Sequence, residues 1–220
     1  RLSESSMDWE CTGFWRCPLG GALVTLQLMV ACVIGILLVG LLASLAKLSR
    51  WWLLRFFASV YIDLARAIPL LVQLFLIYYS LPHFGISLPV FWAGVVGLIV
   101  HYAAYEAEII RGGLQSIDKG QVEAGIALGM TPRQVFIRIT IRQAMKVIIP
   151  PTTSLFASTL KGTAQVAVIA LPELLRTGAN LALSSGQYFT IYLLVALIYH
   201  VMIYPISRGT RILERRMGTS

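Results

Sequence analysis

Charged residues are scarce: Asp, Glu, Lys and Arg make up 13% of the 220 residues, against 57% hydrophobic. A soluble domain carries about 25% charge. One small core cannot hide this much apolar surface, so a bilayer is expected to act as solvent for much of the chain. Acids are the scarcer sign, 10 against 18 Lys and Arg, which leaves a formal net charge of +8. In a membrane protein that excess speaks first to topology. The basic residues are scattered, with no aromatic-interleaved patch, which argues against a nucleic-acid partner. The three histidines, His83, His101 and His200, lie on separate segments without ligand spacing, so no metal site is expected. No Gly-rich loop ending in Gly-Lys-Ser/Thr is present, and no Ser/His/Asp or Cys/His set stands out. The reading is therefore of a chain with no catalytic residues, no cofactor and no phosphate loop of its own.

Uninterrupted apolar runs are what the chain has in abundance. Leu19–Ala46 holds 28 residues without a charge, too long for a signal-peptide core and long enough to span. A second span is expected within Phe56–Leu81, interrupted by Asp63 and Arg66, with Pro69 kinking or breaking it. The third is about Val90–Tyr105 and the last about Tyr188–Ser207. Val147–Leu160 is charge-free for only 14 residues, so this fourth helix is extended back toward Gln134. Pro150-Pro151 is expected to disrupt it and turn freed carbonyls toward a cavity. The fold class is thus all-α with five transmembrane helices: an external segment 1–18, one transmembrane domain 19–216 and a short tail 217–220.

With five spans, 13 Lys and Arg fall on one side and four on the other, while Arg66 stays intramembrane. The positive-inside bias puts the N-terminus outside and the C-terminus in the cytoplasm. Cys11 and Cys17 then lie in an oxidising compartment, which permits a disulfide between them. Cys32 is intramembrane and reads as a small core residue.

The largest cytoplasmic segment carries two helix-start signals. Asp118 precedes a helix Lys119–Leu128 with Gln121 at its third position, and Gly129 is its stop. Thr131-Pro132-Arg133-Gln134 combines a Thr cap, Pro at the first helical position and Gln at the third. An ordinary connector and a docking element are both compatible with that pattern.

Glu123-Ala124-Gly125, Gly129 and Ile139 share their spacing with the cytoplasmic loop signature of bacterial binding-protein-dependent ABC importers, which this chain resembles. Gly125 stands where the family has Ala, and Ile141-Arg142 where it has Leu-Pro. Arg66-Ala67-Ile68-Pro69-Leu70-Leu71-Val72-Gln73-Leu74 looks like the second-span motif of the polar amino-acid subfamily. Glu108 to Ile117, Lys119-Gly120-Gln121, Leu160-Lys161-Gly162-Thr163 and Glu173-Leu174-Leu175-Arg176 match the same subfamily in order. The resemblance covers about Gly21–Arg216.

It implies a type I ABC importer permease with a cytoplasmic coupling helix at about 119–129. Its expected partners are an identical or homologous second permease subunit, two cytoplasmic ATPase subunits that bind ATP and Mg, and an external solute-binding protein. The substrate is expected to be a polar amino acid. Coupling to the ATPase falls to Glu123, Ala124, Gly125, Leu128, Gly129 and Met130. Gly125 and Gly129, four apart, are expected to clear one helix face for close approach. Glu123 either pairs with a basic partner or merely favours its own helix N-terminus.

For the substrate path the expected residues are Gln73, Glu106, Lys161, Thr163 and Gln165. Asp63 and Arg66 are expected to pair on one helix face. Glu108 and Arg111 are the remaining intramembrane polar residues. Glu106 either lines the path or snorkels to the cytoplasmic face. In relatives that carry basic amino acids an acid stands at the place of Gly162. Leu171–Gly178 reads as a short outer helix started by Pro172 and stopped by Gly178. The rival reading is a stand-alone secondary transporter or channel, but no internal repeat supports it. A third reading, an intramembrane enzyme, finds no site.

Overall fold

The computed structural model describes residues 16–217, and among these no strand occurs. Helix α1 (Arg16–Leu48) packs along α4 (Val90–Gln115), and small residues set the approach. A side chain at Gly35 would collide with Ile99, and one at Gly40 with Glu106. Close helix contact through small residues is the usual device where lipid removes the hydrophobic drive. Leu28, Cys32, Ile36, Leu74, Leu98 and Val166 form the buried centre. The outward faces stay apolar, as at Leu23, Val30 and Ile34 of α1. In water such faces would be unstable, whereas in a bilayer they meet a matching solvent.

Helix α2 (Trp52–Ala67) ends at Ile68-Pro69, and α3 (Leu70–Phe75) continues at 108° through a π-helical turn, Leu76–Ser80, and a 3-10 turn, Leu81–Phe84. The break falls where Pro69 predicts it. α4 runs ten residues beyond the expected end of the third span. The short α5 (Lys119–Ala127) leads to α6 (Pro132–Val135), a π-helical turn at Phe136–Ile141, and α7 (Arg142–Gly162), which closes in a 3-10 segment, Thr163–Ile169. The expected disruption at Pro150-Pro151 is corrected: both lie inside a continuous α7. Two lost N–H donors, which leave the carbonyls of Lys146 and Val147 without their usual partners, do not break the helix, because the turns on either side hold it.

Helix α8 (Leu174–Ser185) and α9 (Tyr188–Met217) complete the chain. The stop expected at Gly178 is also corrected. Gly178 is buried inside α8, where a side chain would strike Val195, and the helix ends at Gly186 with φ 72°. Among the described residues three helices are long and apolar enough to cross a membrane. Two bent pairs qualify jointly, α2 with α3 and the α6–α7 run with α8, the latter bent by 53°. Each bent pair taken as one span gives the expected five.

Candidate coupling helix and intramembrane polar residues

Helix α5 is held by local chemistry. The Asp118 carboxylate accepts from the Gly120 N–H. The capping box expected with Gln121 is only half made, because Gln121 Oε1 instead accepts from Gln143 Nε2 over 3.3 Å. At the other end Gly129 has φ 79°, the left-handed stop. The Met130 N–H closes the turn onto the Gly125 carbonyl. Thr131 and Gln134 then form a complete capping box with Pro132 at the first position.

The two glycines do not share a role. A Cβ at Gly125 would lie 2.9 Å from both Val135 and Ile139, so this residue faces its own chain. Gly129 is exposed with open space around it. The expectation that both clear one face for a partner is therefore corrected: Gly125 lets α5 lie close on the segment that follows it. The outer face carries Glu123, Ala124, Ala127 and Leu128, with Leu128 83% exposed. Met130 is half-buried.

Polar groups inside the bundle divide into two sets. Gln73, 6% exposed, donates from Nε2 to the Ala65 carbonyl over 2.7 Å and to Ile68 over 2.9 Å. Ala65 is four residues before Pro69, so its carbonyl would ordinarily accept the N–H that proline lacks. Gln73 supplies it. Glu106 is 1% exposed, which rules out snorkelling. Its Oε1 accepts from Thr152 Oγ1 over 2.9 Å, joining α4 to α7, and its Oε2 has no partner among the described residues. Thr163 is buried and donates to the Leu160 carbonyl. Lys161 and Gln165, by contrast, are exposed near the far end of α7. The five expected path residues thus do not form one open cluster in the described chain. Gly162 sits directly against the hydroxyl of Tyr102, which donates to the Ser158 carbonyl over 3.0 Å.

The second set surrounds Glu108. It accepts from Lys47 of α1 over 2.8 Å and from Arg111 over 2.7 Å, and lies 3.9 Å from Arg66 of α2. Arg66 also stacks over the ring of Tyr105. The expected Asp63–Arg66 pair is corrected: Asp63 is exposed without an ion pair among the described residues, and Arg66 turns to Glu108. Sequence spacing along one helix could not reveal Lys47, which comes from another helix.

Glu173 was missed as a capping residue. It is fully buried, accepts from the N–H groups of Leu175 and Arg176, and receives the Tyr199 hydroxyl over 2.8 Å. Thr25 Oγ1 of α1 accepts from the Leu174 N–H. An acid between Pro172 and a helical run was the available signal. Cys11 and the side chain of Cys17 lie outside the described residues, whereas Cys32 is buried and free. Among the described residues no group of three His, Cys, Asp or Glu side chains could hold a metal ion.

Residues 27–219 match the family of binding-protein-dependent transport system inner membrane components. The chain is 34% identical to the L-cystine transport system permease protein TcyB of Bacillus subtilis, over 97% of this chain and 92% of that one. It is also 34% identical to the probable glutamine ABC transporter permease protein GlnM of Bacillus subtilis, over 89% and 91%. The crystal structure of an amino acid ABC transporter with histidines superposes with a TM-score of 0.85 at 40% identity, covering 91% of this chain and 94% of that one. The MetNI methionine ABC transporter, at 20% identity and TM-score 0.69 over 90% and 96%, shares the fold. With nearly its whole length matched and a bundle of membrane-spanning helices to match it, the chain belongs to the binding-protein-dependent inner membrane component family, as a permease subunit of an ABC importer.

Proposed function

We propose that this subunit carries a polar amino acid across the membrane and that α5 is where it takes up the work of separate ATPase subunits. The observation that carries the reading is α5 itself. Capped at both ends and laid on Val135 and Ile139 through Gly125, it leaves Glu123, Ala124, Ala127 and Leu128 facing out. An apolar and acidic face on a rigid helix suits a protein cleft better than it suits a connector.

In this reading the N-terminus is outside, the C-terminus is cytoplasmic, and two permease subunits, identical or homologous, meet around the path. A binding protein delivers the amino acid from outside. Two ATPase subunits close on ATP and Mg, draw the coupling helices together and open the path outward; hydrolysis returns it inward. The chain conducts, and makes or breaks no covalent bond. Names of its relatives support an amino acid as cargo. Lys161 and Gln165, exposed beyond the buried Thr163, are the side chains best placed to meet its carboxylate and polar groups.

The test is reconstitution in liposomes with the cognate ATPase and binding protein. Glu123→Lys reverses charge on the outer face, and Gly129→Leu places a β-carbon on a left-handed residue at a local cost of about 1 kcal/mol or more. Both variants are expected to insert normally, to copurify less ATPase and to lose hydrolysis stimulated by loaded binding protein. Wild-type values for both would reduce α5 to a connector.

A further inference from the structure

One face of α9 changes character halfway along. Leu197, Val201 and Tyr204, each at least half exposed, are followed by the exposed Arg208, Arg211 and Arg215. The steps between them are four, three, four, three and four residues, so at 100° per residue all six fall within an arc of about 80°. Of the three uninterrupted spans, α9 has the smallest share of its apolar stretch buried. Arg208, Arg211 and Arg215, with Ile212, line a single shallow recess. None of the three arginines makes an ion pair among the described residues.

We propose that this face seats an anionic phospholipid. Its acyl chain lies along Leu197 and Val201, its glycerol region at Tyr204, and its phosphate among Arg208, Arg211 and Arg215. The order apolar, aromatic, cationic repeats the order of groups met on leaving a bilayer, and Tyr is the residue suited to the boundary. Guanidinium forks bind phosphate oxygens in pairs, and a residue just above the phosphate level can turn back to reach it.

Two other occupants fit less well. A second copy related by a two-fold axis along the membrane normal would set six arginines against one another. A soluble acidic protein could meet the arginines but not Leu197 and Val201, which lie within the span. The proposal holds for either leaflet, because both ends of a span meet headgroups.

Native mass spectrometry of the full chain, purified with whatever subunits accompany it, tests this. Phosphatidylglycerol and phosphatidylcholine with the same acyl chains are titrated, with glycerol 3-phosphate as soluble competitor. Wild type is expected to retain phosphatidylglycerol preferentially. Arginines near a membrane surface each contribute about fivefold, so the triple variant Arg208→Gln, Arg211→Gln, Arg215→Gln is expected to lose that preference by tenfold or more. The control Arg133→Gln with Arg138→Gln keeps it. Should the triple variant fail to insert, Arg211→Gln alone is expected to lose about fivefold. The proposal is overturned by equal retention of the two lipids in wild type or by unchanged retention in the arginine variants. It is also overturned by an equal loss in the control, by displacement with glycerol 3-phosphate at lipid concentrations, or by lost ATPase copurification at unchanged lipid occupancy. No ATP, amino acid or binding protein enters the measurement, so its failure is separable from failure of the transport reading.

Discussion

Gln73 Nε2 donates to the Ala65 carbonyl over 2.7 Å, in the place of the N–H that Pro69 does not have. The side chain that mends the helix lies four residues after the proline that breaks it. Gln73→Leu keeps the volume and removes the donor, leaving the Ala65 and Ile68 carbonyls without it. A lost bond to a buried acceptor costs about 1–3 kcal/mol, and removal of Gln73 Oε1, which has no partner among the described residues, offsets part of this. Thermal unfolding of the detergent-purified protein is expected to fall by several degrees. An unchanged midpoint would show that the break is stable without Gln73.

Tyr102 and Gly162 make a second pair. The tyrosine hydroxyl fills the space where a side chain at position 162 would begin. Gly162→Ala is expected to cost about 1–3 kcal/mol through overpacking. Tyr102→Phe removes the atom in closest contact, though it also gives up the bond to Ser158. The double variant is expected to be more stable than the sum of the single changes by at least about 0.5 kcal/mol. Strict additivity in thermal unfolding would separate the two residues.

Gly125→Leu probes the inner side of α5 without altering Glu123 or Leu128. The new side chain drives into Val135 and Ile139. Faster proteolysis between Asp118 and Thr131 is expected, together with weaker stimulated ATP hydrolysis. Wild-type protection from protease would mean that α5 does not rest on this contact.

Legibility in the sequence followed the range of the interaction. The caps at Asp118 and Thr131, the stop at Gly129 and the break at Pro69 depend on neighbours within four residues, and all were readable. Pro150-Pro151 misled because the same local rule was overridden by the turns around it. Gly125 could be placed on a helix but not aimed, since its direction depends on how α5 folds back on Val135. Arg66 was assigned the acid three residues away, when Glu108 of another helix was nearer in space. The path residues suffered most: burial separates Gln73, Glu106 and Thr163 from Lys161 and Gln165, and no spacing rule encodes burial.

From Pro132 to Ile169 the chain runs as one helical body, prolines included, with α5 at its foot and Lys161 near its head. If α5 takes up the ATPase stroke as proposed, such a body would work as a lever. At 1.5 Å per residue the distance from Pro132 to Lys161 is roughly 40 Å, so a tilt of about 5° at the foot carries the head some 3–4 Å sideways. That displacement is comparable to the width of an amino-acid backbone. A hinge at Pro150-Pro151 would absorb such a tilt halfway; an α7 that stays continuous through both prolines would carry it on to the other end.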